Sequence, residues 1–384
     1  MRPIPFLCTC LLVPAILSPP LTAQNPGDAL EKKHVTVYYE PGRFGGWPAN
    51  HGLWAWGNEI LVGFSRGYYK DLGPERHNID REKPEEHWLA RSKDGGETWQ
   101  WEDPSRGGVL MARGQALHGT VPAGILKEPV PLEKPIDFLH PDLALTFRML
   151  HVDTGPSLLY YSYDRGRTWS GPFRLKVGEM TRIAARTDYQ VLDRNSCLVF
   201  LTAAKSNNRE GRVFCAKTSD GGRTWNFVSW IGPEPKGIDI MPASVRLSPG
   251  EFLVTSRRQE ESRRWIDAYR SADNGKSWTF LNTAVSDTGE GNPPSLIRLR
   301  DGRLCLTYGF RAMPYGICAR LSSDGGNSWG APIVLRNDGG GRDLGYVRSV
   351  QRPDGKVVTI YYFLDRQKPE RYIAATIWDP SPAR

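Results

Sequence analysis

Two histidine-bearing turns carry the residue types best suited to moving a proton near neutral pH. They are Asn50-His51-Gly52 and His140-Pro141-Asp142, the second followed by Arg148. Imidazole is the side chain that titrates near neutrality, so His51 or His140 could act as acid or base. A hydrogen-bonded turn residue is the other reading of each. A long polar connection, residues 68–86, holds Asp71 and also Asp80, the latter within His77-Asn78-Ile79-Asp80-Arg81. Connections of that length inside a compact domain are usually functional. The sequence has no CxxC pair, no His/Cys cluster at zinc spacing and no EF-hand-like loop. No metal or other cofactor is therefore expected.

The elements that must position these residues are announced by a repeat. Ser92-Lys93-Asp94-Gly95-Gly96-Glu97-Thr98-Trp99 returns four times, around Asp164, Asp220, Asp273 and Asp324. Each copy fits (Ser/Thr)-x-Asp-x-Gly-x-(Thr/Ser)-Trp. Recurrence every fifty to seventy residues or so marks a repeat architecture. Asp followed by Gly suits a tight hairpin turn, the carboxylate accepting from backbone N–H groups and the Gly supplying positive φ. The Trp buries a large ring and is expected to lock each hairpin to the body of its own repeat.

Around each copy the pattern runs strand, turn, strand, polar loop, strand, box, strand. The fifth repeat shows it most clearly, with Ser295-Leu296-Ile297-Arg298-Leu299, a turn at Asp301-Gly302, a strand over 304–308 and another over 317–320. The last segment, 345–378, has no box and is one strand short. Residues 34–40, alternating as a strand at the other end of the chain, can complete it. The expectation is an all-β, six-bladed β-propeller of four-stranded antiparallel blades, one domain over 34–379, its ring closed by the N-terminal strand.

The spacing of the five motifs resembles the Asp-box of the sialidase superfamily, whose boxes lie on the blade periphery away from the active site. All five aspartates are accordingly read as structural. In that family three arginines hold the substrate carboxylate, a Tyr partnered by a Glu is the nucleophile, and a loop Asp is the acid/base. Carried over residue by residue, the resemblance implies Tyr346, in Asp343-Leu344-Gly345-Tyr346, as nucleophile. It implies Asp80 as acid/base, with Asp71 competing. It implies Arg257, in Phe252-Leu253-Val254-Thr255-Ser256-Arg257, and Arg311 as carboxylate ligands. Arg66, just past the strand over 59–64, is a further substrate-binding candidate, as are His51, His140, Asp142 and Arg148.

Two positions depart from that pattern. Gly46-Trp47-Pro48 stands where the first arginine belongs, with Arg43 nearby but out of register. Met241 stands where the partner Glu belongs, and Asp239 and Glu290 are substitutes out of register. Loss of a general base alone costs about 10²–10⁴-fold in rate, so the resemblance carries the fold further than it carries sialic acid specificity.

The first residues read as a targeting signal over 1–23: Arg2, an apolar core over 6–17, and the cleavage site Leu21-Thr22-Ala23. Cys8 and Cys10 would leave with it, and the mature chain would be exported to the periplasm or the exterior. Cys197 and Cys215 flank one predicted hairpin, and Cys305 and Cys318 another. Disulfides are permitted after export, and free buried thiols are the favoured reading. No other apolar run is long enough to span a bilayer. The net charge of +8 suits an anionic partner. Its arginines are scattered, without the aromatic-interleaved basic tract of a nucleic-acid binder.

Three functions follow as expectations. The first is an exported sialidase-like glycoside hydrolase, of exo-alpha-sialidase type, acting on an anionic terminal sugar. The second is a propeller polysaccharide lyase, since a His/Tyr/Arg constellation is also similar to that of some uronate-cleaving lyases. The third is a glycan-binding ring without turnover.

Overall fold

The computed structural model describes residues 31–104 and 128–381; the targeting signal and Cys8 and Cys10 lie outside them. Six antiparallel sheets follow one another along the chain and form the six-bladed propeller. Blade one has an inner edge split into Arg43–Gly46 and Leu53–Trp56, then Glu59–Tyr68, Glu86–Ser92 and Gln100–Glu102. The 3-10 turn Pro48–Asn50 interrupts that inner edge. Blade two shows three strands among the described residues, Ala144–Met149, Ser157–Ser162 and Ser170–Leu175. Blade three again has a split inner edge, and blades four and five are regular.

Blade six contains Gly345–Gln351, Val357–Phe363 and Tyr372–Trp378. Its outer strand is Lys32–Tyr38, running antiparallel to Tyr372–Trp378 with Lys32 opposite Trp378. The ring closes as the missing strand implied, and blade one becomes a neighbour of blade six. No helix of the described residues is long and apolar enough to cross a membrane.

The core lies between blades rather than in one centre. Val357–Phe363, which reads as a nearly continuous apolar run, is buried on both faces because a blade covers each side. Ile60, Val62 and Phe64 of blade one pack with Val358, Ile360 and Tyr362 of blade six. Blades three and four share Phe200, Val213, Phe252 and Val254 in the same way.

The Asp boxes repeat one hydrogen-bond plan. In each, the carboxylate accepts the backbone N–H four residues on, at 2.8–3.0 Å. The leading Ser or Thr hydroxyl accepts from the Gly N–H four residues on, at 2.7–2.9 Å. Hydrogen bonds from Ser277 and Ser328 hold Asp273 and Asp324 down at about 2. The tryptophans pack on their own blades and also reach beyond them. Trp169, of blade two, packs with Leu61 and Leu89 of blade one, and Trp278, of blade four, packs with Phe200 and Cys215 of blade three. Each of these rings therefore ties its blade to the preceding one.

Cys197, Cys215, Cys305 and Cys318 are free thiols. Register explains this: Cys197 faces Thr218 and Cys215 faces Phe200, so the pair never meets across the hairpin.

Candidate functional site

Antiparallel order divides the ring into two ends. The starts of the inner strands and the connections between second and third strands share one end, and the Asp boxes occupy the other. The non-glycine residues with left-handed backbone at the first end include Trp47 at φ 55°, Met241 at φ 55° and Tyr346 at φ 50°. Such conformations cost roughly 1–3 kcal/mol each and concentrate at functional sites. Two of them sit in bulges. The inner strand of blade six, Gly345–Gln351, shifts register between Gly345 and Arg348. That of blade four, Ile238–Ser248, shifts between Ile240 and Ala243. Each bulge re-aims a side chain, and the two that result, Tyr346 and Met241, belong to one apolar cluster with Ala49 and Ile240.

Asn292 holds the tyrosine in place. It is fully buried, accepts the Tyr346 N–H at 2.8 Å and donates to the Leu344 carbonyl at 2.9 Å. A Cβ on Gly345, whose φ is +103°, would lie 2.3 Å from the Asn292 amide, so only glycine fits.

Two arginines complete this corner. Arg257 Nη1 donates to the Tyr346 hydroxyl at 3.5 Å, and the Arg311 guanidinium lies 5.5 Å from the Tyr346 ring centre. Arg311 is spent on protein partners, donating to the Leu344 carbonyl at 2.9 Å and to the Tyr362 hydroxyl at 2.6 Å. Burial works against its charge, but Tyr362, Tyr346 and Asp343 together raise its pKa. Arg257 is different. Its Nε has no hydrogen-bond partner and no carboxylate pairs with it among the described residues. Burial, with Arg311 adding to it, lowers its pKa. A desolvated cation with no counter-charge is poised to accept an anion.

Beside this corner opens a cavity of about 430 Å³ whose lining includes Lys70, Arg76, His77, Asp80, Arg311, Arg342 and Asp343. Asp80 is placed there by its backbone, whose N–H donates to the Tyr68 carbonyl at 2.8 Å. Its carboxylate has Lys70 at 3.6 Å and Lys83 at 3.8 Å. Asp71 instead accepts the Gly73 N–H at 2.9 Å, capping a turn. His77 also lines the cavity, its Nδ1 2.6 Å from an Asp343 oxygen. That buried carboxylate also accepts from the Tyr362 hydroxyl at 2.5 Å and from Arg371 Nε at 2.9 Å. Burial alone would raise the Asp343 carboxyl, but His77, Arg371 and Arg311 hold it well below the usual range. His77, Asp343 and Asn292 carried no role in the sequence reading; the pair His77 and Asp343 is separated by 266 residues.

The structure therefore groups Tyr346 with Arg257 and Arg311, and Arg311 also lines the neighbouring cavity that holds Asp80. It does not bring the other candidates to the cavity. Arg66 is held between Glu40 at 2.8 Å and Glu86 at 2.6 Å, with Trp88 beneath it. His51 is fully buried, its Nε2 3.0 Å from the Ser65 hydroxyl, and burial, Arg148 and His87 lower its pKa well below the ordinary value. Arg148 is buried too, donating to the Asn50 carbonyl at 2.6 Å and meeting His87 at 3.0 Å; burial lowers it to about 10. His140 and Asp142 lie at the Asp-box end, where Asp142 accepts from Arg165 of the second box at 2.6 Å. Of the proposed substitutes for the missing Glu, Asp239 pairs with Arg258 at 3.2 Å and Glu290 with Arg342 at 3.3 Å. Trp47, next to Gly46 at the position of the missing arginine, meets the His77 ring edge-on at 5.2 Å.

The channel wall also carries a titrating group. Asp188 accepts from the Ser244 hydroxyl at 2.5 Å, with Arg348 at 3.9 Å, yet burial outweighs both and pushes it up to about 7. A carboxyl whose folded pKa exceeds its unfolded value contributes stability that is complete below about pH 4 and is lost as pH rises through 7. At about 1.4 kcal/mol per pH unit, the stability of the wild type relative to Asp188→Asn should fall by about 4 kcal/mol between pH 4 and pH 8. Urea titrations at the two pH values measure it, and a pH-independent difference would contradict the burial argument.

Comparison with known proteins now adds a lineage. The sequence matches the BNR repeat-like domain family over residues 144–359. No curated protein matches it. Among solved structures, a protein of unknown function from Dyadobacter fermentans superposes with a TM-score of 0.68 at 22% identity, covering 92% of this chain and 99% of that one. A mutant of Trypanosoma rangeli sialidase displaying trans-sialidase activity gives 0.59 at 13% identity, over 90% of this chain but 58% of that one. A Penicillium chrysogenum alpha-L-arabinanase complexed with arabinobiose gives 0.54 at 15% identity, over 90% and 97%. At these identities the likeness is one of fold.

Proposed function

This chain belongs to the BNR repeat-like domain family, and from that premise we propose that it is an exported glycoside hydrolase acting on an anionic sugar at a glycan terminus. The observation that carries the reading is Arg257, a desolvated guanidinium without a counter-charge, set against Tyr346 beside the cavity. A sugar carboxylate is the ligand that chemistry asks for. Sialidase and arabinanase share the fold, so fold alone does not choose the sugar, and the choice falls to the charges of the site. Asp80, which lines the cavity, is the proton donor to the leaving oxygen.

Tyr346 takes a different part from the one the family resemblance implies. Met241 packs beside it, no carboxylate is bonded to its hydroxyl among the described residues, and an unassisted phenol is a weak nucleophile. The ring instead lines the face on which positive charge develops at the anomeric carbon, and water is the nucleophile. Direct attack by water inverts the anomeric centre, whereas a tyrosyl intermediate would retain it.

Proton NMR of the first product formed from 4-methylumbelliferyl sialoside or glucuronide decides this. The inverted anomer is expected. The retained anomer would restore Tyr346 as nucleophile, and no release from either glycoside would sink the hydrolase reading. Ultraviolet absorbance from a uronic-acid polymer would move the function to the lyase class.

A further inference from the structure

We propose that His77, oriented by Asp343, is the general base of this cavity, taking the proton from the water that attacks the anomeric carbon. The inference rests on the hydrolase reading and names the base that Met241 withholds from the inner strand of blade four. The geometry is that of a base and its orienter. The His77 side chain is 32% exposed and lines the cavity, while that of Asp343 is 4% exposed. Asp343 cannot rotate away, because Tyr362 and Arg371 bind it from other sides. An ionised carboxylate at Nδ1 places the neutral ring's proton on that nitrogen and the lone pair on the other. Trp47, next to the Gly46 that takes the family arginine's place, packs edge-on against the ring at 5.2 Å.

The step balances without any further reagent. The water oxygen bonds to the anomeric carbon and its proton passes to the His77 lone pair. The glycosidic C–O bond breaks with its electron pair on the leaving oxygen, which takes the carboxyl proton of Asp80 on the same cavity. The imidazolium that forms is stabilised by the Asp343 carboxylate. Exchange with solvent then returns a proton to Asp80 and removes one from His77.

The test uses wild type, His77→Gln and His77→Gly on the two methylumbelliferyl glycosides. In parallel, the histidine ring resonances of the wild type are followed as free N-acetylneuraminic acid and glucuronic acid are added. His77→Gln should lower kcat about 10²–10⁴-fold with little change in KM and an unchanged thermal midpoint. Imidazole should restore part of the rate of His77→Gly, a response that a merely structural role would not give. The His77 ring resonances should move as one sugar acid saturates the site. Turnover that survives His77→Gln, or turnover with ring resonances that stay still, would overturn the dyad and leave the hydrolase reading standing. No release by the wild type with moving resonances would overturn the hydrolase reading while supporting His77 at the ligand; silence in both would overturn both.

Discussion

Replacing Arg257 with methionine should make the fold more stable by about 1 kcal/mol and weaken binding of a carboxylate-bearing sugar about 100-fold. The two effects share one cause. Arg257 is desolvated by its surroundings, its Nε meets no acceptor, and its Nη1 donates to a phenol at a long 3.5 Å. Holding such a charge in the empty protein is unfavourable, and an apolar side chain of similar length removes that cost. Methionine fills the space without a fixed shape. The ligand carboxylate supplies the missing partner, and charge-assisted bonds of this kind contribute about 1.5–3 kcal/mol, or roughly ten- to 150-fold in affinity. Calorimetric titration with free sialic and glucuronic acids, alongside urea midpoints, measures both. A less stable variant that binds as before would make Arg257 a structural residue and remove the central support for an anionic substrate.

Asp343→Ala should have the largest effect on stability, a loss of about 3–5 kcal/mol. The carboxylate is the common acceptor of His77, the Tyr362 hydroxyl and Arg371, and its removal strands the buried Arg371 guanidinium, which is 2% exposed. The pH dependence has a definite sign. Its folded pKa is depressed, so its contribution is present above the ordinary carboxylate range and drains as pH falls below about 4. Urea titrations should therefore show a wide gap between wild type and variant at pH 7 and a narrower one at pH 3. A gap that stays constant, or one below about 1 kcal/mol at pH 7, would mean that the ion pair with Arg371 contributes little.

Much of the architecture was legible in the chain because it is local. An Asp box closes its hydrogen bonds within eight residues, so Ser92 to Trp99 and its four copies declare themselves without tertiary information. A blade that is one strand short at 345–378 and a spare strand at 34–40 imply each other in the same way. The neighbourhood of Tyr346, Arg257 and Arg311 was legible because each has a set place beside an inner or second strand, and strand order determines which end of the ring that place faces. Met241 was equally visible, and the structure adds that its side chain meets Tyr346.

Tertiary structure alone decided which polar residues were available for chemistry. His51 and Arg148 have the right types but are sealed in the core, Arg66 is held by two glutamates, and Asp142 is bonded to an Asp-box arginine at the far end. Nothing in a linear sequence reports desolvation or the presence of a counter-ion, and those two quantities separate a reactive charge from a structural one. The meeting of His77 with Asp343 is the clearest case. It exists because the strand Lys32–Tyr38 closes the ring and sets the loop of the first blade against the inner strand of the last, a contact that only the completed circle can make.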